Sequence, residues 1–199
     1  MLAGWQQGQW DNKYYKASRT RLTTNLPSLE VGDPSTQKNS SWETEVKSMS
    51  LFGRFNYDYK EKYLVEANIR YDGSSKFAED HKWGVFPSFS AGWRISQEAF
   101  MRNVRWIDEL KLRVIYGVAG NQLSASYPYT NLWTIGETNG QIGITQASTG
   151  NRNLSWERNY QIDLGIDFRL WNRFYGTVDY YNRRTHDLIW NRPTPSSTG

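Results

Sequence analysis

Between Tyr63 and Asp72 the chain alternates almost without fault. Tyr63, Val65, Ala67, Ile69 and Tyr71 fall on one side and Glu66, Asn68, Arg70 and Asp72 on the other, with Leu64 the one apolar residue among the polar positions. A period of two with one apolar and one polar side predicts a β-strand. Its ten residues match the length that a tilted strand needs to cross a bilayer. The pattern recurs. Residues 49–59 set Leu51, Gly53, Phe55, Tyr57 and Tyr59 against Arg54, Asn56 and Asp58. Residues 83–95 set Trp83, Val85, Pro87, Phe89, Ala91, Trp93 and Ile95 against Gly84, Ser88, Ser90, Gly92 and Arg94, with Phe86 out of pattern. Residues 110–119 oppose Leu110, Leu112, Val114, Tyr116 and Val118 to Lys111 and Arg113. Residues 155–170 oppose Tyr160, Ile162, Leu164, Ile166, Phe168 and Leu170 to Gln161, Asp163, Asp167 and Arg169. A sixth segment, 174–183, alternates less cleanly. The prediction is all-β and antiparallel.

The connections carry a second pattern. Lys60-Glu61-Lys62 and Trp171-Asn172-Arg173 are three-residue turns, and a connection of about fourteen residues at 96–109 holds Ser96 where it would cap a helical turn over 97–102. Between these lie loops of about ten residues at 73–82 and about thirty-five at 120–154. Residues 1–46 show no sustained period and read as loop with, at most, short strand pieces. The chain therefore divides into an outer loop region at 1–48 and a barrel portion with its loops at 49–199. Pairing Tyr59 with Tyr63 sets Tyr57 opposite Val65 and Phe55 opposite Ala67, so apolar sides coincide and register is strongly specified. Pro87 cannot donate a ladder hydrogen bond and is expected near a rim or at a bulge. Short turns at one rim and long loops at the other are the arrangement of bacterial outer-membrane barrels. Tyr57, Tyr59, Tyr63, Trp93, Trp171 and Phe174 lie near the short turns, where an aromatic girdle belongs. The alternative is a soluble, aromatic-rich, carbohydrate-binding β-sandwich, because half-buried soluble strands alternate too.

Composition narrows the choice. Mean hydropathy is −0.77, and no run of about 18 apolar residues exists, which excludes a helical membrane protein but not a barrel. Ten Trp, thirteen Tyr and eight Phe suit surfaces apolar at one end and wet at the other. The net charge of +4 is dispersed among acids and forms no basic block, so nucleic acid is not an expected partner. There is no cysteine, which removes disulfides and thiolate metal sites. The first ten residues lack a basic and an apolar signal region, so a membrane barrel would be represented here by an internal piece.

No catalytic constellation stands out, and neither enzymatic activity nor a cofactor is expected. His81 and His186 have no shared metal spacing. Asp72, Glu79 and Asp80 bracket a loop without the calcium-loop spacing. Gly117-Val118-Ala119-Gly120 lacks the ending of a phosphate loop. The remaining candidates are surfaces. Tyr127, Tyr129 and Trp133 sit in the longest loop, where they would stack on sugar rings, pack on a peptide, or order the loop by packing on one another. Arg54, Arg70, Arg94 and Arg113 beside Glu66, Asp72 and Asp163 are expected to form ion-pair ladders along a lumen-facing wall.

Several segments resemble the SusC/RagA family of TonB-linked outer-membrane proteins. They are Leu51-Phe52-Gly53-Arg54-Phe55-Asn56-Tyr57, Tyr63-Leu64-Val65-Glu66-Ala67, Arg70-Tyr71-Asp72-Gly73-Ser74-Ser75-Lys76-Phe77, Trp83-Gly84-Val85-Phe86-Pro87-Ser88 and Gly92-Trp93-Arg94-Ile95-Ser96. Leu110 to Arg113, Tyr116 to Gln122, Asn153-Leu154-Ser155-Trp156-Glu157 and Asp179-Tyr180-Tyr181 follow in family order. The resemblance implies a barrel of about 22 strands around a plug, of which this chain supplies about six. It also implies import of glycan fragments or peptides across the outer membrane of Bacteroidetes-type bacteria. The implied partners are a SusD-like surface lipoprotein, the TonB–ExbB–ExbD complex acting through an N-terminal region, the outer-membrane lipid, and an oligosaccharide or peptide substrate. It assigns Tyr63, Val65, Ala67, Ile69 and Tyr71 to lipid, and Glu66, Asn68 and Arg70 to the lumen.

Overall fold

Alternating segments joined by short turns have one low-energy solution, a meander in which each strand pairs with the next. The computed structural model, which describes residues 1–122, 125–138 and 141–190, shows this arrangement. The tail at 193–199, read as loop-like, lies outside the described residues. One antiparallel sheet contains β1 (Leu2–Ser18), β2 (Lys38–Tyr59), β3 (Tyr63–Ser74), β4 (Trp83–Arg94), β5 (Ile107–Asn121), β8 (Glu157–Leu170) and β9 (Phe174–His186), in that order. A separate hairpin, β6 (Leu132–Thr138) and β7 (Gln141–Ser148), rises between β5 and β8. The seven strands form a half-barrel. Tyr59 pairs with Tyr63, Tyr57 with Val65 and Phe55 with Ala67, the register the alternation predicts. The turns at 60–62, 95–106 and 171–173 share one rim, and the connections at 19–37, 75–82 and 122–156 share the other.

The structure departs from the sequence reading at four places. Residues 1–46 are not mainly loop: β1 pairs with β2 along its whole length, from Leu2 opposite Arg54 to Ser18 opposite Lys38. In the far half of this hairpin exposed aromatics stand on both faces, Trp10, Tyr14 and Trp42 on one and Tyr15 on the other, among polar residues, so the period-two signal is weak. The arm is held by its backbone ladder and by cross-strand pairs such as Lys13–Glu43 (2.8 Å) and the stacked Tyr14–Trp42 rings (5.4 Å). The long loop contains the β6–β7 hairpin, in which Trp133, Ile135 and Ile144 alternate with Thr134, Gly136, Gly143 and Thr145 over too few residues to stand out. Ser96 does not cap a helix. It lies inside the first of two 3₁₀ turns, Ile95–Gln97 and Ala99–Met101, which start at Arg94 and Glu98. Pro87 is neither at a rim nor at a bulge but mid-strand opposite Ile69. It is tolerated because the β4–β5 ladder ends one residue away, at Ser88 opposite Gly117.

Where β4 and β5 part, Phe86 fills the gap. Its ring lies against Gly120 and over Gly84, where an added Cβ would come within 2.5 Å of it. Phe86 and Trp156 are 6% and 7% exposed and Phe77 is fully buried, with Val118 and Leu154 packed on them. This aromatic knot at the long-loop rim is the buried core. The apolar face of the sheet has no such cover: Ile69, Val85, Phe89, Leu164 and Val178 stay 41–63% exposed. Among the described residues no second sheet packs on it, so the arrangement is not a sandwich.

Candidate functional site

The polar face is a network whose members come from neighbouring strands. Arg54 on β2 donates to Asn68 Oδ1 on β3 (2.7 Å) and lies 3.7 Å from Glu66. Asn68 in turn donates to Glu66 (2.8 Å) and to Ser88 of β4 (3.3 Å). Arg70 pairs with Asp72 along its own strand (3.1 Å). Arg113 reaches across two strands, bidentate to Asp167 of β8 (2.8 and 3.0 Å) and bonded to Asp179 of β9 (2.9 Å). Gly165 makes this possible, because a Cβ there would meet the Arg113 guanidinium at 2.8 Å. Asp163, the acid expected beside these arginines, accepts from Gln161 instead (2.9 and 3.0 Å), and Gln161 accepts from Arg183 (2.8 Å). Arg94 sits at the end of β4 with its Nε buried and without a hydrogen-bond partner. A hollow of about 440 Å³ opens on this face, lined by Asn56, Glu66, Ser90, Lys111 and Arg113 among others.

At the short-turn rim Glu98 gathers three donors: Lys62 Nζ (3.0 Å), Tyr63 Oη (2.7 Å) and Trp93 Nε1 (3.2 Å). The bonds from Tyr63, Lys62 and Trp93 push its carboxyl down to about 2. Sequence reasoning missed this clamp, since Glu98 lies in a connection 35 residues from Tyr63 and only strand pairing brings them together. Around it run aromatic pairs, Tyr57–Tyr59, Tyr59–Tyr63, Trp106–Trp171 and Trp171–Phe174, with ring centres 5.7–6.5 Å apart.

At the long-loop rim the three candidate aromatics separate. The Tyr127 hydroxyl donates to the Glu45 carbonyl of β2, and its ring meets Tyr129 edge-on at 6.4 Å. Tyr129 lines a polar cleft of about 540 Å³ with Glu79, Lys82, Asn131 and Arg152. Trp133 stands 61% exposed on the β6–β7 hairpin, on the face that carries Ile135 and Ile144. Lys82 and Arg152 had no distinguishing signal in the sequence; the packing of two loops makes them neighbours. Asp72 is engaged by Arg70, and no group of three or more His, Asp or Glu side chains placed to hold a metal occurs among the described residues.

A half-barrel with one uncovered apolar face, an ion-paired polar face and its longest connections gathered at one rim is the geometry of a membrane barrel wall. Residues 2–199 match the family described as TonB dependent receptor-like, beta-barrel. The chain belongs to this family of TonB-dependent receptor barrels. It is 41% identical over 152 residues to TonB-dependent receptor P39 of Formosa agariphila, covering 75% of this chain and 15% of that one. To TonB-dependent receptor SusC of Bacteroides thetaiotaomicron it is 35% identical over 178 residues, covering 85% of this chain and 18% of that one. It superposes on the RagAB peptide importer in the closed-closed state with a TM-score of 0.88 at 26% identity, over 98% of this chain and 22% of that chain. In the open-open state the TM-score is 0.84. The receptor-barrel chain thus spans less than a quarter of the length of these proteins. Four of the SusC/RagA-like segments converge on the aromatic knot. Phe77, Phe86, Val118 and Trp156 come from one each. Trp156 Nε1 donates to the Lys82 carbonyl (3.0 Å), and Ser75 bonds to Lys47 in both directions (2.9 Å).

Proposed function

We propose that this chain forms part of the wall and outer loops of an outer-membrane importer that takes up glycan fragments or peptides together with a SusD-like surface lipoprotein, energised by the TonB–ExbB–ExbD complex. The observation that carries this reading is the uncovered apolar face. On β3 its outward residues run from Tyr63 to Tyr71, eight steps or about 26 Å of strand. That is about 20 Å of membrane depth at a tilt of about 40°, close to the apolar band of such barrels. In this reading the apolar face meets lipid. The Arg54, Glu66, Arg70, Arg94, Arg113 and Asp163 face lines the lumen. The long connections and the far half of the β1–β2 hairpin, within the outer region 1–48, stand outside the cell. Mutual pairing makes most of the wall charges a rigid, charge-balanced lining. Tyr129 with its polar cleft, and Trp133 on its hairpin, are the surfaces offered to solute or to the surface lipoprotein.

The test is deletion of the gene in its own host, followed by growth on purified oligosaccharides and on peptides as sole carbon or nitrogen source, and by affinity capture of the full-length receptor. Loss of growth on one of these classes and co-purification of a surface lipoprotein are expected. Unchanged growth on every class would sink the import reading.

A further inference from the structure

Beyond the apolar belt, toward the long loops, the two ends of the sheet differ in charge. On β1–β2 each outward lysine is paired with an acid, Lys13 2.8 Å from Glu43 and Lys47 2.7 Å from Glu45, with Asp11 on the same face opposite Glu45. On β8–β9 the outward arginines are not, among the described residues. The register runs unbroken from Leu164 opposite Tyr180, through Ile162 opposite Asn182 and Tyr160 opposite Arg184, to Arg158 opposite His186. All of these side chains share the apolar face by alternation. The His186 ring meets Tyr160 edge-on at 5.2 Å, as neighbours on one face must.

No acid of these two strands shares that side. Asp163, Asp167 and Asp179 point to the opposite face, the first bonded to Gln161 and the other two to Arg113. Glu157 also faces away, bonded to Asn121 and to the Ile189 amide. Asp187 follows the end of β9. Among the described residues neither Arg158 nor Arg184 forms an ion pair, and Arg158 Nε is buried without a hydrogen-bond partner.

We propose that Arg158 and Arg184, with His186 and Tyr160 beside them, bind the phosphate of an outer-leaflet lipid. Two guanidinium groups present forked donors that match phosphate oxygens. Arg184 stands one two-residue step, about 7 Å, beyond the Ile162–Asn182 pair where the belt ends. Lipid headgroups begin directly at that boundary. The apolar surface of Ile162, Leu164 and Tyr180 continues from the basic pair, so a phosphate carried on acyl chains satisfies both parts at once, whereas a free anion uses one. Pairing of β9 with a further strand would engage backbone groups and leave these side chains outward. The site rests on the reading that the apolar face meets lipid.

The experiment uses the full-length receptor, delipidated in detergent and titrated with bis-phosphorylated lipid A, with bound lipid counted by native mass spectrometry. Arg158→Gln/Arg184→Gln is expected to reduce bound lipid A about ten-fold, while Lys13→Gln/Lys47→Gln leaves it unchanged and dephosphorylated lipid A binds wild type and variant equally. Wild-type retention in the arginine double variant would overturn the proposal, and so would inorganic phosphate binding as tightly as lipid A. If the double variant does not fold, judged by the heat-dependent shift of the barrel band on gels, Arg184→Gln alone decides, with about a three-fold loss expected. A full-length receptor that stays soluble without detergent would defeat the membrane reading itself. An embedded receptor with unchanged lipid retention would defeat only this site.

Discussion

At the residue scale, the positions that break the local pattern are the ones with specific work. Phe86 interrupts the alternation of β4 because its ring occupies the gap left where β4 and β5 separate, and Gly84 and Gly120 leave room for it. Phe77, wholly buried, completes the knot. Phe77→Ala should cost about 3–5 kcal/mol, read as a lower urea midpoint together with faster proteolysis of the 75–82 loop; an unchanged midpoint would mean that the knot is not a stabilising unit. Glu98 makes a pH-dependent contribution. Its folded value of about 2 lies below its ordinary 4.5, so the folded chain takes up this proton later than the unfolded chain. The contribution is therefore complete above about pH 5, shrinks as the pH falls through 4.5, and is gone below about 2. A stability comparison of wild type with Glu98→Gln should show a constant gap at neutral pH that closes on acidification. A gap independent of pH would contradict the clamp.

At the element scale, a strand is legible when its two faces meet different environments. β3 separates lipid-type from water-type residues over its length, and its partners β2 and β4 repeat the division in register. Ala67 lies midway between the aromatic boundaries Tyr63 and Tyr71. Ala67→Arg should destabilise by about 2–4 kcal/mol, while Asn68→Arg, one residue on and facing the other side, should cost far less. The measurement is folding yield into lipid vesicles followed by urea titration, and equal effects at the two positions would refute the facial assignment. The far half of β1–β2 carries only a weak period-two signal because solvent bathes both sides of that arm, whereas the β6–β7 hairpin alternates but too briefly to be read as strands.

At the scale of the whole molecule, the meander places both three-residue turns at one rim and the two longest connections, 19–37 and 122–156, at the other, and the polar face gains a coherence no single strand shows. The Arg113 network joins β5, β8 and β9, and its acids are 54 and 66 residues away in the chain. The sheet ends in the open strands β1 and β9 and carries a broad apolar exterior. Expressed alone, the 199-residue chain should therefore collect in the insoluble fraction and need detergent to disperse. A monodisperse monomer by sedimentation in plain buffer would count against the barrel-wall reading.

The alternation by itself determined the six strands, the hairpin register at Tyr59–Tyr63, the two faces and the two three-residue turns. Each of these follows from local periodicity and from which residues tolerate lipid or water. The ordered motifs pointed to the family. Tertiary structure alone decided that Arg113 pairs with Asp167 and Asp179 rather than Asp163, and that Glu98 collects donors from two strands. It also decided that Tyr127 braces the β2 arm while Tyr129 lines a cleft, and that Arg158 and Arg184, without ion pairs among the described residues, fall on one face of β8–β9. These depend on which strands and loops become neighbours. Where side chains are wet on both faces, or meet across tens of residues, composition and period leave that open.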